Sequence, residues 1–472
     1  MRRKSILVVA VLLAALWTTM CIHGVSRQLP QGISYSGDEH RGVPVEFLYD
    51  LTFEGDTGRV VQQAIFDRVF RMIDRARRLI VIDMFLFNGE HGGDREYLPL
   101  AEKLSERLIE KKRASPGVEI IFITDEINNF YGAYTSREIR ELRANDVHVV
   151  VTDLTRLRDS NPGYSALWRS FVQWFGTSGR GVLPHPLTSA GRKVTLRSYL
   201  KLLNFKANHR KVIVTERECL AASANPHDAS SFHSNVAFAM RGAPCADMLQ
   251  AESAVLELSG GPMPSSGVEP VPEGDAAVSA QYLTEGQIQR RILEEIASLS
   301  SGDRLDIAMF YLSDRTVIRE LLRAADRGVT TRVILDPNKD AFGREKGGIP
   351  NRQVARELVT RSEGTIALRW YDTHGEQFHT KLVLAWHPDH VTAVGGSANL
   401  TRRNLDDFNL EADVRIRAPR GSALAVEFER YFERLWTNTA GDYTVDYSQY
   451  EDRSWLKRLV YRLQEWSGFS SY

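Results

Sequence analysis

Short runs of apolar, mostly β-branched residues recur along this chain in matched order. Arg78-Leu79-Ile80-Val81-Ile82-Asp83-Met84-Phe85 is answered by Arg304-Leu305-Asp306-Ile307-Ala308-Met309-Phe310. Gly117-Val118 leads into Ile120–Ile123 and ends at Asp125, with Gly132 beyond. Gly328-Val329 leads into Val333–Leu335 and ends at Asp336, with Gly343 beyond. Runs of this length and composition read as buried strands. Helical spacing separates them, over Leu100–Lys111 and over Val317–Ala325. The second helix closes on Arg327-Gly328, a basic last turn with a glycine stop. Strand–helix–strand order in duplicate predicts an α/β chain with mainly parallel sheets covered by helices on both faces. The repeats occupy roughly residues 40–258 and 279–437. Gly260 to Ala276 reads GGPMPSSGVEPVPEGDA, without periodicity, so the join at 259–278 is a linker.

Three segments fall outside the repeat pattern. Arg2, Arg3 and Lys4 precede an apolar run from Ile6 to Leu16, continuing through Trp17, Met20 and Ile22. A charged head before an apolar segment is an export signal, placed here within residues 1–30. No small-x-small cleavage site follows, and Thr18-Thr19-Met20 does not suit lipoprotein processing at Cys21. The expectation is an uncleaved anchor with the remainder extracytoplasmic; a cleaved signal with export is the alternative. A second segment, about 154–207, separates strand and motif in the first half. It carries Tyr164, Trp168, Phe171, Trp174 and Phe175, then Arg192, Lys193, Arg197, Lys201 and Lys206. Aromatic and basic residues together suit a membrane surface with anionic headgroups, against the plainer reading of a helical cap. The third is the tail, 438–472. Trp455, Leu456, Leu459, Val460, Leu463 and Trp466 share one helical face there, a stripe expected to pack on its own protein.

Hydrophobic residues make up 43% and charged residues 25% of the 472, so the chain can bury a large core. Sixty basic residues balance sixty acidic ones, which counts against a nucleic-acid partner. Three cysteines make no disulfide framework. Cys219 and Cys245 read as buried thiols, with pairing open if both lie outside the cytoplasm.

The chemistry sits in a motif that appears twice. Asn208-His209-Arg210-Lys211 precedes Val212-Ile213-Val214 and then Ser223-Ala224-Asn225. Phe378-His379-Thr380-Lys381 precedes Leu382-Val383-Leu384 and then Ser397-Ala398-Asn399. His-x-Lys at a strand start puts both side chains on one face. Two copies facing each other gather two imidazoles, two ammoniums and the polar Ser and Asn side chains around one point. Two lysines can neutralise a phosphate without a metal. One imidazole can attack phosphorus while the other moves the proton. Ser223, Asn225, Ser397 and Asn399 are then available to hold the non-bridging oxygens. His227 and Asp228, just beyond Asn225, read as loop residues.

These segments resemble the duplicated H-x-K-x4-D signature of the phospholipase D superfamily, with its trailing G-S-x-N, over residues 45–437. The likeness implies a duplicated α/β fold with the active site between the halves and a phosphohistidine intermediate. Bacterial cardiolipin synthases look most similar. Two positions depart from the signature: its Asp is Glu216 in the first copy and Trp386 in the second. The family often adds a carboxylate after G-S-x-N to orient a histidine. Glu411 fits that role in Asn409-Leu410-Glu411, and is expected to hold Nδ1 of His379. The matching first-half segment is taken as Asn235-Val236-Ala237, where Ala237 cannot serve. The family pattern favours His209 as nucleophile and His379 as acid–base; an orienting Glu411 argues equally for the reverse.

The expected site is therefore His209, Lys211, His379, Lys381 and Glu411, with no metal and no cofactor. The expected function is phosphatidyl transfer between glycerophospholipids at a membrane. Hydrolysis to phosphatidic acid is the alternative. A nuclease or a non-catalytic lipid-binding module ranks below both, and the oligomeric state stays open.

Overall fold

The structure is a computed structural model that describes residues 2–92, 96–186, 188, 192–271, 277–341, 344–470 and 472. Gly343 and linker residues 272–276 lie outside these. Helix α1 spans Arg2–Ser26. The first half contributes strands β1 (Val45–Gly55), β2 (Gly58–Gln62), β3 (Leu79–Met84), β4 (Glu119–Thr124), β5 (His148–Val151), β6 (Lys211–Thr215), β7 (Cys219–Ala222) and β8 (Asn235–Met240). Its helices include α2 (Leu100–Ala114), α3 (Pro162–Phe171) and α4 (Ala243–Ser259). The second half contributes β9 (Ser279–Thr284), β10 (Arg304–Met309), β11 (Thr330–Leu335), β12 (Ile366–Tyr371), β13 (Lys381–Trp386), β14 (His390–Gly396) and β15 (Ala412–Pro419). Helix α5 (Arg315–Asp326) lies between β10 and β11, and α6 (Trp455–Ser467) closes the chain.

The duplication is explicit in the sheets. The first runs β2-β1-β8-β7-β6-β3-β4-β5. The second runs β9-β15-β14-β13-β10-β11-β12, with short edge pieces at His40–Arg41 and Thr444–Asp446. Only β3-β4-β5 and β10-β11-β12 pair in parallel. The remaining pairings are antiparallel, so the sheets are mixed rather than mainly parallel. The reason is the connection length. Helical crossovers such as α2 and α5 allow parallel neighbours, whereas β6-β7 and β13-β14 are joined by turns too short to reverse direction twice.

The two sheets face each other across one shared core. Phe47, Val214 and Phe238 from the first sheet meet Leu384, Ala393 and Ile416 from the second, together with Phe428 and Tyr431. Outer helices cover the far face of each sheet with a separate core. A Cβ on Gly395 would stand 2.7 Å from the Lys381 carbonyl, so glycine there permits the close strand approach.

Three further findings bear on the sequence reading. Cys219 and Cys245 form a disulfide between β7 and α4, not two buried thiols. The β7 start and the α4 start are brought side by side only by folding. Removing this crosslink with Cys219→Ala/Cys245→Ala should lower stability by about 2–4 kcal/mol, read by denaturant unfolding. The tail stripe does not pack inward: Trp455, Leu456, Leu459, Leu463 and Trp466 are exposed, and Tyr461 is the buried residue of α6. In the insert, Trp168 is buried while Phe171, Trp174 and Phe175 are exposed. Part of its basic set is internally paired, as Arg192 with Glu90, Lys201 with Glu126 and Lys206 with Asp159.

Candidate active site

Both H-x-K triplets enter their strands from a loop, since β6 and β13 begin at the lysines. Alternation splits each triplet between two environments. His209 and His379 line a cleft of about 230 Å³ between the halves. The middle residues point the other way. Arg210 is fully buried, 2.7 Å from Glu285 and 3.1 Å from Glu252, and so ties the halves together. Thr380 takes the matching place, with Oγ1 3.2 Å from the Tyr431 hydroxyl.

Each histidine backbone is fixed from its own half. Asp125, at the end of β4, accepts the Asn208 N–H at 2.7 Å; Asp336, at the end of β11, accepts the Phe378 N–H at 2.8 Å. Two bridges then cross between the halves, Asn208 with Leu410 and Ser234 with Phe378. The His209 N–H donates to the Leu410 carbonyl at 2.8 Å.

This crossing decides which group orients which histidine. Glu411 Oε2 lies 2.9 Å from His209 Nδ1. The expectation that Glu411 holds His379 is therefore corrected. A bridge one residue earlier, at Leu410, delivers the carboxylate to the opposite half's histidine. His379 Nδ1 instead faces Asn235 Oδ1 at 3.2 Å. Asn235, not Ala237, is the counterpart of Glu411, because the loop after the first Ser-Asn is two residues shorter than after the second.

The serines also sit elsewhere than expected. The Ser223 hydroxyl donates to Asn235 Oδ1 at 3.1 Å, and the Ser397 hydroxyl to Glu411 Oε2 at 2.5 Å. Each in turn accepts a backbone N–H, from Val236 and Ala412. They hold the orienting side chains from behind rather than facing the cleft. Asn225 and Asn399 do line the cleft. His227 lines it too, with its ring nitrogens bonded to the Ser230 hydroxyl and the Glu90 carbonyl. Asp228 caps α2 through the Ala101 N–H at 3.0 Å. Glu216 and Trp386, which stand at the signature's aspartate, have structural surroundings. Glu216 accepts backbone N–H groups of Arg77 and Leu79, and Trp386 packs under Arg304 and Arg420.

The lysines lie beneath the histidines. Lys211 Nζ donates to the His209 carbonyl at 2.5 Å and Lys381 Nζ to the His379 carbonyl at 2.8 Å. Phe85 and Phe310 lie beside them in matching positions, inclined to the two imidazoles with ring centroids 4.8 and 4.9 Å away. Both were visible in the repeat as the residues after Met84 and Met309. Asn404, which donates to Glu411 Oε1, left no sequence signal.

Burial dominates the electrostatics. Desolvation, reinforced by Lys211 and Lys381, holds His209 well below the usual imidazole range. Desolvation also pushes Glu411 up to about 7. Geometry alone would read the pair as an ion pair; burial disfavours both charges and favours a neutral imidazole hydrogen-bonded to Glu411. With Nδ1–H directed at Oε2, Nε2 keeps its lone pair. His379 is likewise held down, by burial and then by Lys381. Burial lowers Lys211 to about 7 and Lys381 well below its usual range. An incoming phosphate anion supplies the counter-charge that restores both ammoniums.

No curated protein matches the chain. Residues 292–436 match the family model described as "Cardiolipin synthase, PLD-like domain". That segment, which holds the second H-x-K pair, is a phospholipase D-like domain. Domains of this kind are found in phosphatidyltransferases and phosphodiesterases. Among solved structures, a phosphatidylserine synthase from Haemophilus influenzae Rd KW20 shares the fold, at 12% identity, 91% of this chain, 93% of that chain and a TM-score of 0.57. A polyphosphate kinase from Porphyromonas gingivalis aligns at 12% identity over 90% of this chain and 56% of that one, TM-score 0.41. Nuc, a phospholipase D family member from Salmonella typhimurium, aligns at 17% identity over 35% and 97%, TM-score 0.27.

Among the described residues no group of three or more His, Cys, Asp or Glu side chains is placed to hold a metal ion. Turnover should survive exhaustive chelation unchanged, because lysines supply the positive charge. Activity lost to a chelator and restored by one divalent ion would contradict this.

Proposed function

We propose that this protein is a membrane-anchored, cardiolipin synthase-like phosphatidyltransferase working through a phosphohistidine at His209. The two halves, about 40–258 and 279–437, each supply one H-x-K pair. The observation that carries the reading is the crossed arrangement at one cleft: a carboxylate behind His209 and a neutral amide behind His379. A carboxylate at Nδ1 makes Nε2 more nucleophilic and stabilises positive charge as the N–P bond forms. An amide orients His379 without raising its basicity, which suits a group that must give up a proton.

In the first step His209 Nε2 attacks phosphorus, and the bond from phosphorus to the leaving headgroup oxygen breaks. That oxygen takes the Nε2 proton of His379, whose imidazolium form is stabilised by the bound phosphate anion. In the second step an acceptor hydroxyl returns a proton to His379 while its oxygen attacks phosphorus and the N–P bond breaks. Each lysine spends one N–H on a histidine carbonyl and has two left for non-bridging oxygens. Asn225 and Asn399 are placed beside them.

Membrane attachment is part of the proposal. The α1 segment Lys4–Ser26 is apolar enough and long enough to cross a bilayer, and its most apolar stretch is not buried in the protein. Its distal end docks on α3, with Trp17 Nε1 donating to the Gly163 carbonyl at 3.2 Å and Arg169 to the Met20 carbonyl at 2.9 Å. The exposed aromatics Phe171, Trp174 and Phe175 follow directly, and the end of α6 reaches the same region through Phe469 against Phe205. One apolar surface beside a spanning helix suits a lipid interface. The Cys219–Cys245 disulfide supports an oxidising, extracytoplasmic location for the catalytic part.

The test is incubation of the purified full chain with labelled phosphatidylglycerol and separation of the products. Cardiolipin is the expected product. Phosphatidic acid alone would replace transfer with hydrolysis, and no turnover of any glycerophospholipid would refute the reading.

A further inference from the structure

One buried carboxylate takes part in no step described so far. Glu285 follows β9 and is completely buried. The pairing of β9 with β15 ends at Thr284 opposite Ala412. The next pair would set Glu285 opposite Glu411. It does not form, because the chain turns away at Glu285 with φ 48° and enters the helix Gly286–Ser298. The Glu411 N–H therefore has no strand partner, and Glu285 Oε1 accepts it instead, at 3.0 Å.

The same oxygen receives Arg210, the middle residue of the first H-x-K triplet, with Nη2 at 2.7 Å and Nε at 3.3 Å. Oε2 accepts the Ser34 N–H at 2.7 Å. Ser34 belongs to the segment that leaves α1 and runs along β9, where the Gly37 N–H donates to the Tyr282 carbonyl at 2.9 Å. One carboxylate thus joins the triplet that carries His209 to the main chain of the residue that orients His209. Positive φ suits glycine, and another residue held there is strained. Such strain persists where the surroundings over-determine it, and here the side chain holds three segments at once.

The second histidine has no such device, for a local reason. Asn235, which faces His379, lies inside its ladder, paired with Asp50 of β1. The strand itself fixes its main chain. Thr380 stands where Arg210 does and meets the Tyr431 hydroxyl rather than a carboxylate. Glu411 stands one residue outside its strand, so its placement depends on Glu285.

We propose that Glu285 is a positioning residue that clamps the Glu411 main chain to Arg210, and through Glu411 fixes the ring orientation and tautomer of His209 without acting on His379. Its effect on turnover rests on the transfer reading; its effect on the ring rests on geometry alone.

Nitrogen-15 NMR of the histidine-labelled full chain tests this, with the two rings assigned from His209→Asn and His379→Asn. Wild-type His209 should carry a proton fixed at Nδ1. Glu285→Ala should turn His209 into a mixture of tautomers and leave His379 as it was. Glu285→Gln keeps an oxygen for Arg210 and for the Glu411 N–H, gives up only the Ser34 contact, and should restore the wild-type signal. Arg210 retains Glu252, at 3.1 Å, in both variants. An unchanged His209 in Glu285→Ala overturns the proposal. So does an equal change at both histidines, the mark of a general loosening. If thermal melting shows that Glu285→Ala does not fold, Glu285→Asp decides. One methylene shorter, it cannot reach all three partners, and a wild-type His209 signal or an equal change at both rings again overturns the idea. In turnover, Glu285→Ala should lower kcat/KM roughly 10- to 100-fold, and by much less in a Glu411→Gln background, because the two residues act in series. Equal losses in the two backgrounds would also overturn it. A chain that turns over no lipid but shows the change confined to His209 would lose the transfer reading and keep the positioning role.

Discussion

His209→Asn and His379→Asn will each remain folded and each lose phosphatidyl transfer by at least about four orders of magnitude. The two losses will differ in kind. With His379 replaced, His209 can still attack a substrate whose leaving group needs little protonation, and the phosphatidyl-enzyme then waits for an acceptor that no base activates. Labelled lipid should therefore stay with the denatured His379→Asn protein, through an acid-labile bond. With His209 replaced there is no nucleophile, and no label should be retained. The physical basis is the difference behind the rings, a carboxylate at His209 and an amide at His379. Label retained only by His209→Asn would reverse the assignment. Full activity in either folded variant would end the shared-site mechanism.

Glu411→Gln should slow transfer by roughly two or more orders of magnitude while leaving lipid binding in place. Gln keeps the size but can turn an N–H toward His209 Nδ1. The ring then accepts at Nδ1 and carries its proton at Nε2, where the attacking lone pair belongs. The pH profile should change with it. In the wild type, kcat/KM should rise as pH climbs through about 7, because Glu411, raised by burial, gives up its proton there. Lys211, lowered to about 7 by burial, loses its charge over the same range, so the profile should pass through a narrow maximum near there and fall on its alkaline side. Both limbs belong to interacting groups, so the profile reports the cluster rather than one residue. In Glu411→Gln the rising limb should disappear and the falling limb remain. Wild-type turnover in this variant would remove the orienting role. An unchanged rising limb would move that ionisation to another buried carboxylate, such as Asp413, also pushed up to about 7.

Much of this protein was legible in local pattern, for a definite reason. Strand periodicity, the paired runs ending at Asp125 and Asp336, and the twice-repeated H-x-K with Ser-x-Asn are local patterns. Each is set by which neighbours along the chain must share a face, so each can be read without knowing the fold. The duplication added that two copies must meet, since neither alone assembles a nucleophile and a proton carrier. The tertiary structure decided what depends on contacts between distant segments. Glu411 serves His209 because a bridge at Leu410 and Asn208 joins the halves, a pairing with no trace in local spacing. A loop two residues shorter shifted the counterpart from Ala237 to Asn235. Ser223 and Ser397 turned from the expected substrate contacts to supports, since β7 and β14 aim their hydroxyls at the neighbouring strand ends. The disulfide and the outward stripe of α6 follow from the same cause. Whether a cysteine finds a partner, or an apolar face finds a cover, is settled by the rest of the molecule and not by the residues that carry it.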